Sequence, residues 1–235
     1  MQCIRFSDMN TGTNVKTLSK KTTNIFGNFL GAALSGNIIR LKNTRYSSGI
    51  LDRFRRKINP ALIALGYKTG VYKNTRLKLH LGCGNKHFDG YVNIDHRNTS
   101  ATDLVCDIRK LPYPAGSVDL IETYHVIEHL NRHDLPIALK EWHRVLAVGG
   151  KLIIECPDFD EAVKSYIEGN EKRIDNIFGL QRFPGDVHQF GYNFKRLKKA
   201  LEEAGFKDIE EKKPLDYHTK DEPCLRAICV KGDNW

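Results

Sequence analysis

Two glycines and two aspartates carry the clearest chemical signal in this sequence. Gly82-Cys83-Gly84 follows the apolar run Leu77–Leu81, and glycines after a buried strand allow a tight turn and a close approach of backbone N–H groups to a ligand. Asp95 and Asp107 end the next two apolar runs along the chain. Carboxylates at strand ends beside such a loop can accept hydrogen bonds from the ribose hydroxyls and the amino group of a nucleoside. The sequence therefore predicts a nucleoside-type ligand at this loop.

The loop departs from two common nucleotide-binding patterns. No Gly-Lys-Ser or Gly-Lys-Thr follows Gly84, so the loop is not a phosphate loop. His87 stands where the dinucleotide fingerprint has its third glycine, which argues against a nicotinamide or flavin cofactor.

Three histidines are candidates for proton transfer. His125 and His129 follow the apolar run Val118–Thr123, and His188 lies in the long segment Asp158–Tyr192. Because an imidazole titrates near neutral pH, we expect His125 and His188 to be catalytic residues that act as general bases. The alternative for His125 is that it orders the turn or contacts the cofactor.

The six cysteines of the chain give no sign of a metal site or a disulfide framework. They form no Cys-x-x-Cys pair, and no spacing of cysteine and histidine suits zinc. No acidic cluster suggests a catalytic metal, so we expect none. Cys106, Cys156 and Cys229 lie in apolar runs, where a free thiol behaves as a small hydrophobe. This cysteine usage is typical of a reducing, cytoplasmic compartment.

From Leu77 onward, short apolar runs alternate with helix-like segments. Strands are predicted at Leu77–Leu81, Tyr91–Ile94, Asp103–Cys106, Val118–Thr123, Lys151–Cys156, Ile209–Lys213 and Leu225–Val230. Helices are predicted from an Asp134 N-cap to Gly149-Gly150 and from an Asn193 cap to a Gly205 terminator. This alternation predicts an α/β fold: a Rossmann-like, mostly parallel seven-stranded sheet with helices on both faces.

The predicted sheet explains how residues far apart in sequence can meet. In such sheets, ligands bind at the carboxyl ends of the strands, near the point where the strand order reverses. That rule places the glycine loop, Asp95, Asp107 and the segment after Thr123 along one edge.

Taken in order, these residues resemble the motifs of class I S-adenosylmethionine-dependent methyltransferases. The resemblance covers about residues 77–230, and the nearest likeness is to a small bacterial group related to the quinone-biosynthesis C-methyltransferases, often encoded among surface-polysaccharide genes. The resembling segments are Leu79–Asn85, Val92–Asp95, Asp107-Ile108, Val118–Leu130 and Glu141–Gly150, in which Val148 replaces the usual proline. These motifs are specific for the cofactor class and leave the substrate open.

The resemblance implies that S-adenosylmethionine is the cofactor. The first motif would hold its methionine part, Asp95 its ribose, and Asp107 with Ile108 its adenine. The cofactor-binding residues expected on this basis are Leu81, Gly82, Cys83, Gly84, Asn85, Asp95, His96, Asp107, Ile108 and Tyr124. The implied activity is transfer of a methyl group from a sulfonium by in-line displacement.

The methyl acceptor is expected to be a small molecule or a glycan, methylated at oxygen. Thr123-Tyr124-His125 follows the fourth strand, where amino-group methyltransferases have an Asn-Pro-Pro-Tyr type of motif. Segments such as Asp158–Tyr192 often cover the acceptor site in the resembling family, and the length of this segment suits a lid. Two alternatives stay open: an RNA methyltransferase that uses a basic N-terminal arm, and a cofactor-binding scaffold without catalysis.

Positive charge is concentrated near the N-terminus. Residues 1–76 carry 14 lysines and arginines against two acidic residues, whereas the rest of the chain carries 23 against 26. We predict a basic extension over residues 1–70, disordered or partly helical at 25–42 and 50–66, and a methyltransferase domain over 71–235. Basic residues within 16–76 would meet an anionic membrane surface or nucleic acid, or stay solvated. The chain is expected in the cytoplasm, with peripheral membrane attachment as an alternative, and its oligomeric state stays open.

Overall fold

Alternating apolar runs build a seven-stranded sheet in the computed structural model, which describes residues 77–232. The strands are β1 (Lys78–Leu81), β2 (Val92–Asp95), β3 (Leu104–Val105), β4 (Val118–Tyr124), β5 (Leu146–Pro157), β6 (Phe206–Lys212) and β7 (Cys224–Lys231). The helices are α1 (Asp134–Val145), α2 (Phe159–Ile167), α3 (Arg173–Phe178) and α4 (Phe194–Glu203), with short 3-10 turns at Ile127–His129 and Tyr217–Lys220. The extension predicted over residues 1–70 lies outside the described residues, as do residues 71–76, which include the basic residues Lys73 and Arg76.

The strand order is β3-β2-β1-β4-β5-β7-β6. Neighbours from β3 through β5 are parallel, whereas β7 is antiparallel to both β5 and β6. The sheet is therefore mixed and mostly parallel, in a Rossmann-like arrangement. The order reverses between β1 and β4, which is where ligands bind in sheets of this kind.

One face of the sheet forms the hydrophobic core. Register places Leu79, Ile121 and Leu152 side by side across three strands, and all three side chains are fully buried. Complete burial of one such side chain contributes about 1.5–3 kcal/mol. From α1, Trp142 is also fully buried and donates a hydrogen bond from Nε1 to the carbonyl of Ile108 at 2.9 Å. This contact fixes the chain just after Asp107.

The helices α1 and α4 cover the same face. Both lie in crossovers between strands that run in the same direction, and such crossovers are right-handed. The rings of His143 in α1 and Phe206 in β6 accordingly meet at 5.2 Å. The connections from β1 to β2 and from β2 to β3 are turns rather than helices.

The ends of α4 confirm the sequence prediction. Asn193 accepts a hydrogen bond from the backbone N–H of Arg196 at 2.8 Å, which is the ordinary N-cap contact. Gly205 follows the helix at a φ of +88°, a left-handed conformation that glycine adopts freely.

Both predicted ends of α1 were wrong. The N-cap is His133 and Asp134 is the first helical residue, while Oδ1 of Asn131 accepts from the N–H groups of both at 2.9 and 3.0 Å. The helix ends at Val145 and β5 begins at once at Leu146. Gly149-Gly150 therefore lies inside the strand, near an irregularity in its pairing with β4. Within residues 77–232, none of the helices has the length and apolar character needed to span a bilayer.

Candidate active site

The glycine loop folds back against the end of β2. The N–H groups of Gly82 and Cys83 both donate to the carbonyl of Ile94, at 2.8 and 3.0 Å. Gly82 has a φ of +69°, and a Cβ there would lie 2.2 Å from Cγ2 of Val126. Only glycine can therefore occupy this position, and it brings the segment after β4 against the loop.

Asp95 holds the second half of the loop in place. Its carboxylate is 4% exposed and accepts from the N–H groups of Gly84 and Arg97, each at 2.8 Å. A carboxylate oxygen can accept two hydrogen bonds, so Asp95 retains acceptor sites for the hydroxyls of a ribose. The side chain of His96 is 74% exposed, with Nδ1 3.3 Å from Oδ1 of Asp95.

The remaining residues of the first motif differ in exposure. Leu81 and Cys83 are buried, and burial raises the pKa of the Cys83 thiol to about 11. Asn85 is exposed. The loop therefore offers a ligand its backbone and the Asn85 side chain rather than the thiol.

Asp107 lies on the rim of the same edge. Arg109 donates to its carboxylate from Nε at 3.0 Å and from Nη2 at 2.9 Å, and these hydrogen bonds hold the pKa of Asp107 below its usual value. The carboxylate therefore stays charged, and it is half-exposed. The carbonyl of Ile108 is occupied by Trp142, and its side chain packs against the core.

Tyr124 points along the sheet. Its hydroxyl donates to Oε2 of Glu122 at 2.6 Å, while the hydroxyl of Tyr91 donates to Oε1 at 2.7 Å. The Tyr124 ring packs edge-on against the rings of Phe88 and His80. Because the hydroxyl is committed to Glu122, contact of Tyr124 with a cofactor would have to use the ring.

His125 occupies a strained position directly after β4. It has a φ of +53°, and a non-glycine residue held in such a region costs of order 1–3 kcal/mol. Its backbone N–H donates to the carbonyl of Glu155 at 2.8 Å. The ring is 12% exposed, and Nδ1 lies 3.4 Å from both Glu128 and Glu222.

The surroundings of His125 favour its charged form. Burial opposes protonation, but the neighbouring thiol of Cys224 and the negative charges of Glu128 and Glu222 outweigh it, raising the pKa of His125 to about 11. At neutral pH the ring is therefore an imidazolium. In this form it can donate hydrogen bonds but has no lone pair with which to accept a proton.

A buried ion pair supports the far side of the site. Nη1 of Arg226 lies 2.9 Å from Oε2 of Glu155, and Glu155 also accepts from the N–H groups of Leu215 and Asp216. These contacts fix the turn that carries Asp216. Its carboxylate pairs with Lys86 from the glycine loop at 2.5 Å and with His218.

Several residues at this edge were not predicted from the sequence: Glu155, Asp216, His218, Glu222 and Cys224. Glu155 carries a usable signal, because it is a charged residue inside the apolar run Lys151–Cys156. The other four follow β6 and reach the site only through the pairing of β7 with β5. No local pattern connects them to His125.

The segment 158–192 contains α2 and α3 and returns to the site. Asp158 and Tyr192 form an isolated β-bridge that joins its two ends. Gln189 donates from its backbone N–H to the Glu128 carbonyl and from Nε2 to the His129 carbonyl, both at 2.7 Å.

These hydrogen bonds bring His188 to the end of β4. The rings of His188 and His129 meet edge-to-face with centroids 5.0 Å apart. Burial lowers the pKa of His188. Both predicted catalytic histidines therefore lie next to Glu128, although only His188 is in the form that can accept a proton.

Residues 89–154 match a family model described as a methyltransferase domain. No curated protein matches the chain.

Solved structures with a similar chain path include three methyltransferases. A methyltransferase from Archaeoglobus fulgidus is 16% identical over 79% of this chain and 100% of its own, with a TM-score of 0.48. One from Methanosarcina mazei is 18% identical over 66% and 92%, also with a TM-score of 0.48. Phosphoethanolamine N-methyltransferase 2 of Haemonchus contortus, bound to S-adenosylmethionine, is 12% identical over 74% and 52%, with a TM-score of 0.42.

The domain match includes β2 with Asp95, β3 with Asp107 after it, and β4 with the histidines that follow. The glycine loop precedes the match and is bonded directly to β2. Residues 89–154 are therefore similar to a methyltransferase domain, and the glycine loop is hydrogen-bonded directly to this part of the chain.

Proposed function

We propose that the chain is a class I S-adenosylmethionine-dependent methyltransferase that methylates a hydroxyl group of a small molecule or a glycan, as the likeness to the polysaccharide-associated bacterial group suggests. The observation that supports this proposal best is the polar cluster beside the glycine loop. His125 and Glu128 after β4 meet Glu222 before β7 and His188 from the segment 158–192. Such a cluster suits a polar acceptor that must lose a proton.

The cofactor is proposed to lie along the edge from the glycine loop to Asp107. Residues 81–85 would face its methionine part, Asp95 would accept from the ribose hydroxyls, and Asp107 with Ile108 would border the adenine. His96 and Tyr124 would complete the rim. The fit rests on two observations. Asp95 retains free acceptor sites, and the space beside Gly84 is open, because the atom nearest to an added Cβ there would be Nη2 of Arg97 at 4.0 Å.

Bound S-adenosylmethionine supplies an electrophilic methyl group on a sulfonium. Transfer to a hydroxyl would form a bond from the acceptor oxygen to the methyl carbon and break the bond from that carbon to sulfur, so the residues would have to align the oxygen and receive its proton. Alignment alone can contribute about 7–11 kcal/mol of barrier reduction. The imidazolium of His125, fixed between Glu128 and Glu222, can donate to the acceptor and orient it.

His188 is the better placed of the two catalytic candidates to receive the proton. Its Nδ1 lies 2.8 Å from the carbonyl of Asn176, and a carbonyl only accepts, so the proton is on Nδ1. Nε2 then carries a lone pair. A positioned general base typically contributes about 10²–10⁴-fold to the rate.

The segment 158–192 is proposed to be a lid over the acceptor. Ile167 is 78% exposed, and Phe178 and Leu180 are 55% and 56% exposed, so the segment carries apolar side chains that are not used in the core. A lid that closes over the acceptor excludes water and completes the site. A groove of about 440 Å³ between α2 and the chain before β7 reaches Glu222 from outside, and it is a candidate path to the cluster.

An RNA acceptor is the second candidate, and the charge distribution favours it. A basic arm within residues 16–76, followed by a mildly acidic region over residues 77–235, suits a phosphate clamp. The same arm would also suit attachment to an anionic membrane surface. Clamping RNA and attaching to a membrane predict different methylated products.

The deciding experiment follows the methyl group. The purified chain is incubated with cofactor labelled in the methyl group and with fractionated extract of the source cell, and label is counted in glycan, small-molecule, lipid, RNA and protein fractions. Label in a glycan or small molecule, lost in His188→Gln, supports the proposal. Label confined to RNA would transfer the assignment to the second candidate, and cofactor binding without any labelled product would indicate a scaffold.

A further inference from the structure

We propose that Glu128, His129 and His188 bind a divalent transition-metal ion of the Zn²⁺ type. One ring nitrogen of each histidine and one carboxylate oxygen of Glu128 lie within 4.8 Å of one another. The three residues come from the turn after β4 and from the segment 158–192. They therefore meet where the proposed acceptor site and the proposed lid come together.

Glu128 is the observation that calls for a cation. The residue is 3% exposed, and among the described residues neither carboxylate oxygen has a hydrogen-bond partner. Nδ1 of His125 lies 3.4 Å from Oε1, so the imidazolium forms an ion pair with one carboxylate oxygen and leaves Oε2 without a partner. Buried carboxylates are normally paired, hydrogen-bonded or bound to a metal.

The two histidines present lone pairs to this carboxylate. Nδ1 of His129 lies 2.9 Å from the carbonyl of Val187, and Nδ1 of His188 lies 2.8 Å from the carbonyl of Asn176. Each Nδ1 must therefore donate, which leaves Nε2 unprotonated in the neutral ring. Metal-binding histidines characteristically donate their second N–H to a carbonyl or carboxylate in this way.

The lone pairs of His129 and His188 and the carboxylate of Glu128 therefore converge, and none of these three groups offers a proton to another. Two imidazoles and one carboxylate are the ligands of many zinc sites, in which a fourth position stays open to water or substrate. In a tetrahedral site with bonds of about 2.0–2.1 Å, ligand atoms lie about 3.3 Å apart. In the structure the three ligand atoms lie within 4.8 Å of one another, and small side-chain rotations on binding would bring them to the tetrahedral distance.

The two neighbouring groups of similar composition are less suitable. Both include His125, whose Nδ1 already forms ion pairs with Glu128 and Glu222 at 3.4 Å. In one of them, Asp216 is already paired with Lys86 and His218. The other depends on Cys224, whose thiol is a donor to the carbonyl of Glu222.

The chemical role of the ion rests on the proposed function, whereas its binding does not. An acceptor hydroxyl at the open position would be acidified by the ion. The ion would then replace Nε2 of His188 as the group that makes the hydroxyl reactive, and the proton of the hydroxyl would leave to solvent water. It would also join the segment 158–192 to the end of β4.

The test uses the full-length protein, freed of metal with a chelator and titrated with Zn²⁺ by calorimetry, with bound metal counted by mass spectrometry. One tight equivalent is expected in the wild type and in the control His87→Gln, which changes a half-exposed histidine outside the cluster. Glu128→Gln and His188→Gln should each weaken this site by about 100-fold or more, beyond the 10–100-fold typical of outer-shell losses.

Co²⁺ provides a readout that does not depend on the variants. In the wild type, bound Co²⁺ should give visible absorption of a tetrahedral site without a thiolate charge-transfer band, since no cysteine is a proposed ligand. A thiolate band, or equal affinity in wild type and both variants, would overturn the site. If the wild type binds no ion but methylates an acceptor in a His188-dependent way, the metal proposal fails and the proposed function stands. If the wild type binds one metal ion but transfers no methyl group, the metal proposal stands and the proposed function fails.

Discussion

The guanidinium carbon of Arg97 lies 4.3 Å from the ring centroid of Phe183. Arg97 belongs to the chain after β2, and its Nε is 3.5 Å from the carboxylate of Asp95. Phe183 belongs to the segment 158–192. The stack therefore connects the proposed lid to the residue proposed to hold the cofactor ribose.

Removing the Phe183 ring should speed cofactor exchange. A partly exposed cation–π contact is worth about 0.5–1 kcal/mol, so Phe183→Ala should raise both the association and dissociation rates of cofactor by about fivefold, with little change in Kd. Stopped-flow fluorescence measures both rates. Phe178→Ala is the matched control, because it removes an exposed ring from the same segment. Equal rates in both variants and the wild type would show that the stack does not restrict access.

Replacing Asp95 should weaken cofactor binding strongly. Asp95→Ala removes the acceptor proposed for the ribose and the acceptor that now holds the N–H of Gly84. Hydrogen bonds to a charged group contribute about 1.5–3 kcal/mol each, so Kd should rise by about 100-fold or more in calorimetry. Asp107→Ala should change Kd by about tenfold at most, because that carboxylate is half-exposed. A near-normal Kd in Asp95→Ala would contradict the ribose assignment.

The sequence predicts those features of the site that depend on neighbouring residues and misses those that depend on distant ones. The loop, Asp95 and Asp107 are local features, each marked by an apolar run that ends at a particular residue. The charge state of His125 is not local, since it depends on Glu222, which the antiparallel pairing of β7 brings to the site. A histidine after a strand therefore looks like a general base in sequence, although in the structure it is an imidazolium between two carboxylates.

The errors in α1 have a similarly physical cause. Asp134 and the pair Gly149-Gly150 are both typical boundary residues, and either would serve in an isolated helix. Here Oδ1 of Asn131 binds the N–H groups of His133 and Asp134, so the first turn begins before Asp134 could serve as a cap. The pairing of Leu146 with Val118 extends β5, so tertiary contacts determine where the helix stops.

Breaking the Glu155–Arg226 pair should destabilise the fold. Arg226→Met leaves a fully buried carboxylate with only two backbone donors, and removal of one partner of a buried pair typically costs about 3–5 kcal/mol. Urea unfolding should show this loss. The double variant Glu155→Gln with Arg226→Met should recover part of it, because the uncompensated charge is gone. A single variant as stable as the wild type would show that the pair does not support this side of the site.

His80 should make the protein less stable in mild acid. Its ring stacks on Phe88 with centroids 3.9 Å apart, and burial lowers its pKa from the ordinary value of 6.5. Below pH 6.5 the unfolded chain takes up a proton that the folded chain refuses, so stability falls as pH drops towards the folded pKa.

The contribution of His80 is measured by comparing His80→Asn with the wild type in urea at pH 7.5 and pH 5.5. The wild type should lose about 1 kcal/mol more than the variant over this range, as one proton per molecule allows at most about 1.4 kcal/mol per pH unit. Other buried histidines affect both proteins equally. Identical losses would mean that His80 is protonated in the folded state.

The two glycines of the loop should respond differently to a single added methyl group. In Gly82→Ala the new Cβ would lie 2.2 Å from Cγ2 of Val126, whereas in Gly84→Ala the nearest atom would be Nη2 of Arg97 at 4.0 Å. Both residues have a positive φ, so each substitution carries a backbone strain of about 1 kcal/mol. Only Gly82→Ala adds a steric overlap, which must separate the loop from the segment after β4.

Gly82→Ala should therefore unfold at lower urea concentration than Gly84→Ala and bind no measurable cofactor. Gly84→Ala should stay folded with a moderately raised Kd, since its added methyl group meets only the end of a long side chain. Urea unfolding and calorimetry on the same samples separate the two effects. Val126→Ala in the Gly82→Ala background should restore part of the stability, because it removes the atom that the new Cβ meets. If it restores none, the loss arises from backbone strain and not from the packing of these two segments.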